Sequence, residues 1–214
     1  MRVQLFFWDI PTQKIPSAIL RMATNHLYLK FRSNISFYKL LGTGSGETFT
    51  PNDANLRRWG LLIVSKSDQR ESVLVKRWQK ISNHQRFYEL TPIASHGSWA
   101  RKEPFEIKEL SNRDSEIAVI TRARIKFKLS KRFWRSVPPV VSSLKNSPGL
   151  IWSIGIGEAP IGLQGTFSLW ESSSAISNFA FRGEAHARVI KETRDLDWYS
   201  EELFARFEVV TKAE

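Results

Sequence analysis

Gly44-Ser45-Gly46-Glu47 and Gly155-Ile156-Gly157-Glu158 are nearly one phrase written twice, 111 residues apart, and their surroundings match as well. The first closes the apolar run Ile35-Ser36-Phe37-Tyr38-Lys39-Leu40-Leu41, and the second closes Leu150-Ile151-Trp152-Ser153-Ile154. In both places glycines that permit a tight turn end a strand-like stretch. A further strand pattern answers each phrase: Gly60-Leu61-Leu62-Ile63-Val64-Ser65 in one case, Gly165-Thr166-Phe167-Ser168-Leu169-Trp170 in the other. Both run on into serine-rich helix starts. A repeat of this length implies two domain-sized halves, not a solenoid of short units.

The first copy reads as βαββαβ. Arg2 to Asp9 has a strand pattern, and Pro16 to Lys30 has a helical one that opens with proline in its first turn, with Ile19, Met22, Ala23 and His26 on one face. Strands at 35–42 and 58–66, a helix capped by Asp68 and running to about Ile81, and a strand from Phe87 to Ser95 complete it. The polar, irregular stretch with Pro104 and Asn112 reads as a linker. The expected organisation is therefore residues 1–98, a linker at 99–116, and 117–214.

The second copy opens with Ile117 to Leu129. Alternation assigns Val119, Thr121, Ala123, Ile125 and Phe127 to a core face, and Arg122, Arg124, Lys126 and Lys128 to a basic one. Ser130 caps a helix carrying Phe133 and Trp134 before Pro138-Pro139 interrupts it. Strands at 150–157 and 164–171, helical segments at 173–181 and 184–202, and a strand at 204–211 follow. Gly60 and Phe87 are 27 positions apart, but Gly165 and Phe204 are 39 apart, so the second copy carries an insertion before its last strand. On its helix His186 shares a face with Val189, Ile190 and Thr193, which turns the imidazole inward.

With 214 residues and 42% hydrophobic content the chain can bury a sizeable core. No uncharged run approaches the roughly 18 residues that span a bilayer, and the apolar run Leu5 to Trp8 is too short for a secretory signal, so a cytoplasmic location is expected. The absence of cysteine excludes disulfides, thiolate metal ligands, iron–sulfur clusters and a cysteine nucleophile. Of the net charge of +11, residues 1–107 hold +8. Such a surface suits nucleic acid or anionic lipid. The positive residues are dispersed, however, with no basic block, zinc-finger spacing or RNA-binding aromatic motif, which ranks nucleic acid last among partners.

Familiar catalytic motifs fail one by one. Gly42-Thr43-Gly44-Ser45-Gly46 lacks the Gly-Lys-Ser/Thr ending of a phosphate loop, and Glu47 stands where a dinucleotide fingerprint needs its third glycine, so the segment reads as a turn. No Gly-x-Ser-x-Gly, His-Glu-x-x-His or EF-hand pattern occurs. On a helix Glu201 and Glu202 would point about 100° apart, which makes them a solvated helix end and not a catalytic pair. His84 and His96 sit at polar strand ends. His26 and His186 lie on apolar helical faces, each either a hydrogen-bonded core residue or a ligand.

Tyr38-Lys39-Leu40-Leu41-Gly42-Thr43-Gly44-Ser45-Gly46-Glu47-Thr48-Phe49-Thr50-Pro51 resembles a segment of the spheroidene monooxygenase family of carotenoid oxygenases. Leu90 to Trp99, Thr121-Arg122-Ala123-Arg124-Ile125, Phe133-Trp134-Arg135-Ser136-Val137-Pro138, Thr166-Phe167-Ser168-Leu169-Trp170, and the ending from His186 through Trp198 to Phe207 resemble family motifs in the same order. The resemblance implies an α+β fold of the dimeric α+β barrel type, with two ferredoxin-like βαββαβ halves in one chain. It also implies a haem-dependent oxygenase that places a keto group on an acyclic carotenoid, using haem b iron, O2 and an electron donor such as a ferredoxin, with peripheral membrane contact and oligomers both compatible.

Within that resemblance His186 matches the family's helix, and with no cysteine present an imidazole is the expected axial ligand. Arg122 and Arg124 either pair haem propionates or form an exposed basic face. Phe133, Trp134, Phe167, Trp170, Phe179 and Trp198 either wall an apolar pocket for the polyene or pack as core. Two other functions stay open: a noncatalytic protein of the same fold that binds haem or an apolar ligand, and a basic nucleic-acid-binding domain.

Overall fold

A computed structural model describes residues 1–47, 51–66, 72–112, 114–129, 141–158, 165–182 and 199–214. Its elements are β1 (Arg2–Asp9), α1 (Ile15–Lys30), β2 (Ile35–Gly44), β3 (Ala54–Ser65), α2 (Ser72–Gln79), β4 (His84–Gly97), β5 (Ile117–Ile125), β6 (Leu150–Gly157), β7 (Gly165–Trp170), α3 (Ser173–Arg182) and β8 (Tyr199–Ala213). Among the described residues no helix is long and apolar enough to cross a membrane.

The strands close into an antiparallel barrel in the order β1-β3-β2-β6-β7-β5-β8-β4. β1 lies between β3 and β4, with β2 beyond β3. In the same way β5 lies between β7 and β8, with β6 beyond β7. Two seams join the sets, β2 against β6 and β4 against β8. The two glycine phrases meet at the first seam, where Gly42 pairs with Gly157 and Gly44 with Gly155. A Cβ on Gly155 would stand 2.9 Å from the Cα of Gly46, so glycine here permits backbone contact across the seam.

A closed barrel with helices outside buries both faces of a strand. On β1, Val3, Leu5 and Phe7 point into the barrel, while Phe6 and Trp8 pack outward beneath α1 and α2. There Trp8 stacks on Trp78 of α2 with ring centroids 4.9 Å apart. α1 presents Ala18, Asn25 and Leu29 to the sheet, with Met22 half-buried among them. The expected inward face is therefore corrected: Ile19, Ala23 and His26 are exposed. The small Ala18 side chain lets the helix approach the sheet, and that contact fixes its rotation. His26 meets the Tyr38 hydroxyl instead, 3.1 Å from its Nδ1.

Two further readings are corrected. β5 ends at Ile125, and a 3-10 turn follows at Phe127–Leu129. β8 begins at Tyr199, so residues 199–202 are strand where a helix was expected. The stretch read as a linker is irregular but packed: Trp99 and Phe105 join the barrel-interior cluster, and Phe105 meets Phe207 edge-on at 4.9 Å. The expected helix carrying Phe133 and Trp134 lies outside the described residues.

Candidate functional site

The outward face of β5 to β8 changes character along its length. Near α3 it is apolar, where Ile117, Val119, Trp170 and Ile176 form a small core. Toward the C-terminal end of β5 the large side chains give way to hydroxyls and glycine. Thr121 pairs with Thr166 and Val119 with Ser168, and on the other side of β7, Ser153 pairs with Ser168 and Gly155 with Thr166. The first four strands do the opposite. Their outward pairs are Phe6 with Leu61 and Tyr38 with Ile63 and Leu40 with Leu61, all packed in the helix-covered core.

Large-to-small replacement on a sheet face leaves a recess unless something fills it. Thr121 is exposed, and Phe204 beside it is 36% exposed. Trp170 and Phe179 meet at a tilt of 34° with ring centroids 5.4 Å apart toward the apolar end, and the Trp170 indole N–H donates to Ser168 Oγ at 2.9 Å. Arg206 lies on the same outward face, opposite Val119. It is half-buried, its guanidinium lies 5.3 Å over the Phe204 ring, and its buried Nε has no hydrogen-bond partner among the described residues. Burial lowers its pKa, yet a guanidinium stays charged in proteins.

A second polar cluster lies inside one mouth of the barrel. Arg122 of β5 is 8% exposed, donates to Glu201 of β8, and reaches Glu158 after β6 at 3.2 Å. Lys39 of β2 also donates to Glu158, whose other oxygen accepts the Trp99 indole N–H at 2.5 Å. Glu201 further accepts the Arg101 backbone N–H at 2.7 Å and the Ser98 hydroxyl at 3.1 Å. Burial alone would raise the Glu201 carboxyl, but the Arg101 N–H, the Arg122 guanidinium and Ser98 outweigh it and hold its pKa down to about 2. Glu158 is likewise held below its ordinary value, burial being outweighed by Lys39, Trp99 and Arg122. The cluster is charge-balanced and internally satisfied, which suits an anchor for the mouth.

These positions sort the expected site residues. Arg122 points into the barrel with its guanidinium committed to two carboxylates, whereas Arg124 is exposed. Phe167 is fully buried in the barrel interior, on the opposite side of β7 from Trp170. Among the described members of the apolar set, Trp170 and Phe179 come together. His186, Phe133, Trp134 and Trp198 lie outside the described residues. The sequence reading missed Thr121 and Thr166 as a pair, Arg206, and Glu201 as an inward group. The signal for Arg206 was present in Leu203-Phe204-Ala205-Arg206-Phe207, where Leu203, Ala205 and Phe207 face the barrel and alternation sends Phe204 and Arg206 outward.

A closed antiparallel barrel with helices on its outer faces defines the class, and a solved aldoxime dehydratase in complex with butyraldoxime has a similar fold. It aligns with a TM-score of 0.59 at 11% identity, over 97% of this chain and 79% of that one. No protein-family model matches the chain. Among curated proteins, a spheroidene monooxygenase of Rhodobacter capsulatus is 31% identical over 216 residues, covering 97% of this chain and 89% of that protein. Another, from Cereibacter sphaeroides, is 32% identical over 197 residues and 89% of this chain, which spans 60% of that protein's length. The chain belongs to the spheroidene monooxygenase family.

Proposed function

We propose that this chain is a haem-dependent monooxygenase that introduces a keto group into a long acyclic carotenoid or a similar apolar substrate. Family membership supports the reaction class. The observation that carries the site is the outward row of small side chains, Thr121 opposite Thr166 and Ser153 opposite Ser168, where the first four strands pack Phe6, Leu61 and Leu40. The repeated strand order supports reading the barrel as two ferredoxin-like halves, 1–98 and 117–214.

Haem, when bound with O2 and a reductant such as a ferredoxin, supplies the oxidation of an unactivated C–H bond, which side chains alone cannot perform. The chain's own residues bind and orient. Arg206 lies on this outward face opposite Val119, and its Nε has no hydrogen-bond partner among the described residues, so it takes the role of pairing an anionic edge that Arg122, already held by Glu201 and Glu158, cannot fill. Phe179, half-buried against the Trp170 ring, offers an apolar contact and excludes water from that end. Small side chains at Thr121, Thr166 and Ser153 let a flat group approach the sheet. On the strength of the resemblance, His186 would hold the haem iron through its imidazole.

The test is turnover by the haem-reconstituted protein with a reductant, O2 and an acyclic carotenoid. A keto product that requires all three is expected. Tight haem binding without any oxygenated product would make the chain a ligand-binding member of the family.

A further inference from the structure

α1 is apolar on both sides. Its inward face is Ala18, Met22, Asn25 and Leu29. At about 100° per residue, Leu20, Leu27 and Phe31 just past its end fall near the opposite pole. They are 64%, 59% and 80% exposed. A surface helix ordinarily presents charged or polar residues there. Val73 of α2 is exposed as well.

Among the described residues of α1 and α2 the charges have one sign. No Asp or Glu occurs between Asp9 and Glu47, a span holding Lys14, Arg21, Lys30, Arg32 and Lys39, and α2 adds Lys76 and Arg77 without an acid. Arg21 and Arg77 lie close enough to repel. Burial first and that repulsion second lower the pKa of Arg21, whose buried Nε has no hydrogen-bond partner among the described residues. Arg32 reaches back to the Tyr28 hydroxyl, and its guanidinium lies 4.4 Å over the Tyr28 ring.

The geometry points to the outer face of α1, with the Arg21–Arg77 pair beside it, as a docking surface for an anionic lipid bilayer. Leu20, Leu27 and Phe31 enter the acyl boundary while the surrounding cations meet lipid phosphates, the arrangement of an interfacial helix lying in the membrane plane. Charge complementarity favours this occupant over a second copy of the chain, because two such faces would bring like charges together. The surface is inferred from exposure and charge, so vesicle binding tests it without haem or turnover, and its failure would leave the oxygenase reading untouched.

The experiment is flotation of the full chain with phosphatidylcholine vesicles, with and without phosphatidylglycerol, at low and high salt. Binding that requires the anionic lipid and weakens with salt is expected. L20S/L27S/F31S should lower partitioning at least about tenfold, and R21Q/R77Q by about fivefold for each charge removed. Thermal midpoints near wild type check that both variants fold, since every substituted apolar side chain points away from the core. Binding unchanged by L20S/L27S/F31S, or no binding to anionic vesicles, would overturn the inference. So would a wild-type dimer that the same triple variant converts to a monomer, because the face would then belong to a second copy.

Discussion

Thr121 of β5 stands directly across the ladder from Thr166 of β7 on the outward face, as Phe6 stands across from Leu61 in the helix-covered core of the first four strands. The same barrel thus has one outer face packed with aromatic and branched side chains and another lined with hydroxyls. Replacing the pair by T121F/T166L tests what that difference is for. The account expects a folded protein of equal or slightly higher stability with haem affinity lowered at least about tenfold, since each added side chain occupies volume the ligand needs. Titration followed by visible absorption, beside thermal melting, gives the two readings.

Arg206 supplies a separable check on the same face. Arg206→Met keeps the stem and removes the guanidinium. A loss of roughly 1.5–3 kcal/mol of haem affinity is expected, the worth of a hydrogen bond to a charged group. Arg124→Met, at an exposed position on β5, should change affinity little.

Glu201 makes the barrel mouth sensitive to acid. Its folded pKa, about 2, lies below its ordinary value. The ionised carboxylate therefore stabilises the fold fully above its unfolded pKa, and that contribution is lost as pH falls through the window between the two values. Glu201→Gln should lower stability at neutral pH by about 1–3 kcal/mol by leaving Arg122 short of a partner. It should also flatten the decline between about pH 5 and 2. Denaturant melts across that range measure both effects, and a variant that keeps the wild-type slope would assign the acid limb to other groups.

The seam between β2 and β6 predicts a steric effect with no chemical component. Gly155→Ala puts a methyl group 2.9 Å from the Cα of Gly46, where backbone on both sides resists movement. A cost of about 1–3 kcal/mol is expected. Gly97→Ala should cost at least as much, because its φ of +84° is unfavourable for alanine and its Cβ would overlap the Glu202 carbonyl oxygen.

The element order β1-α1-β2-β3-α2-β4 was legible because strand and helix periods differ and the turns carry glycine. What each face of a strand meets was less so. Alternation in Ile117 to Ile125 distinguishes two faces, but the sequence does not say that a closed barrel buries both of them. Ala118 and Ile120 fill the interior, Ile117 and Val119 pack outside, and Arg122 is an inward residue whose charge is balanced by strands far away in sequence. Glu201 was misread for a related reason. On a helix Glu201 and Glu202 diverge by about 100°, whereas on β8 they take opposite faces, which sends Glu201 into the mouth and Glu202 out. The glycine phrases told of a repeat, but that they pair with each other across the seam depends on how the sheets close.

The central claim is that this chain holds haem in its second half through an imidazole ligand. The most direct measurement is the visible absorption spectrum of the protein produced with ample haem, beside His186→Ala. The account predicts a Soret band at one haem per chain that shifts or disappears in the variant. An identical band in both proteins would move the ligand away from His186, and no haem in either would contradict the claim.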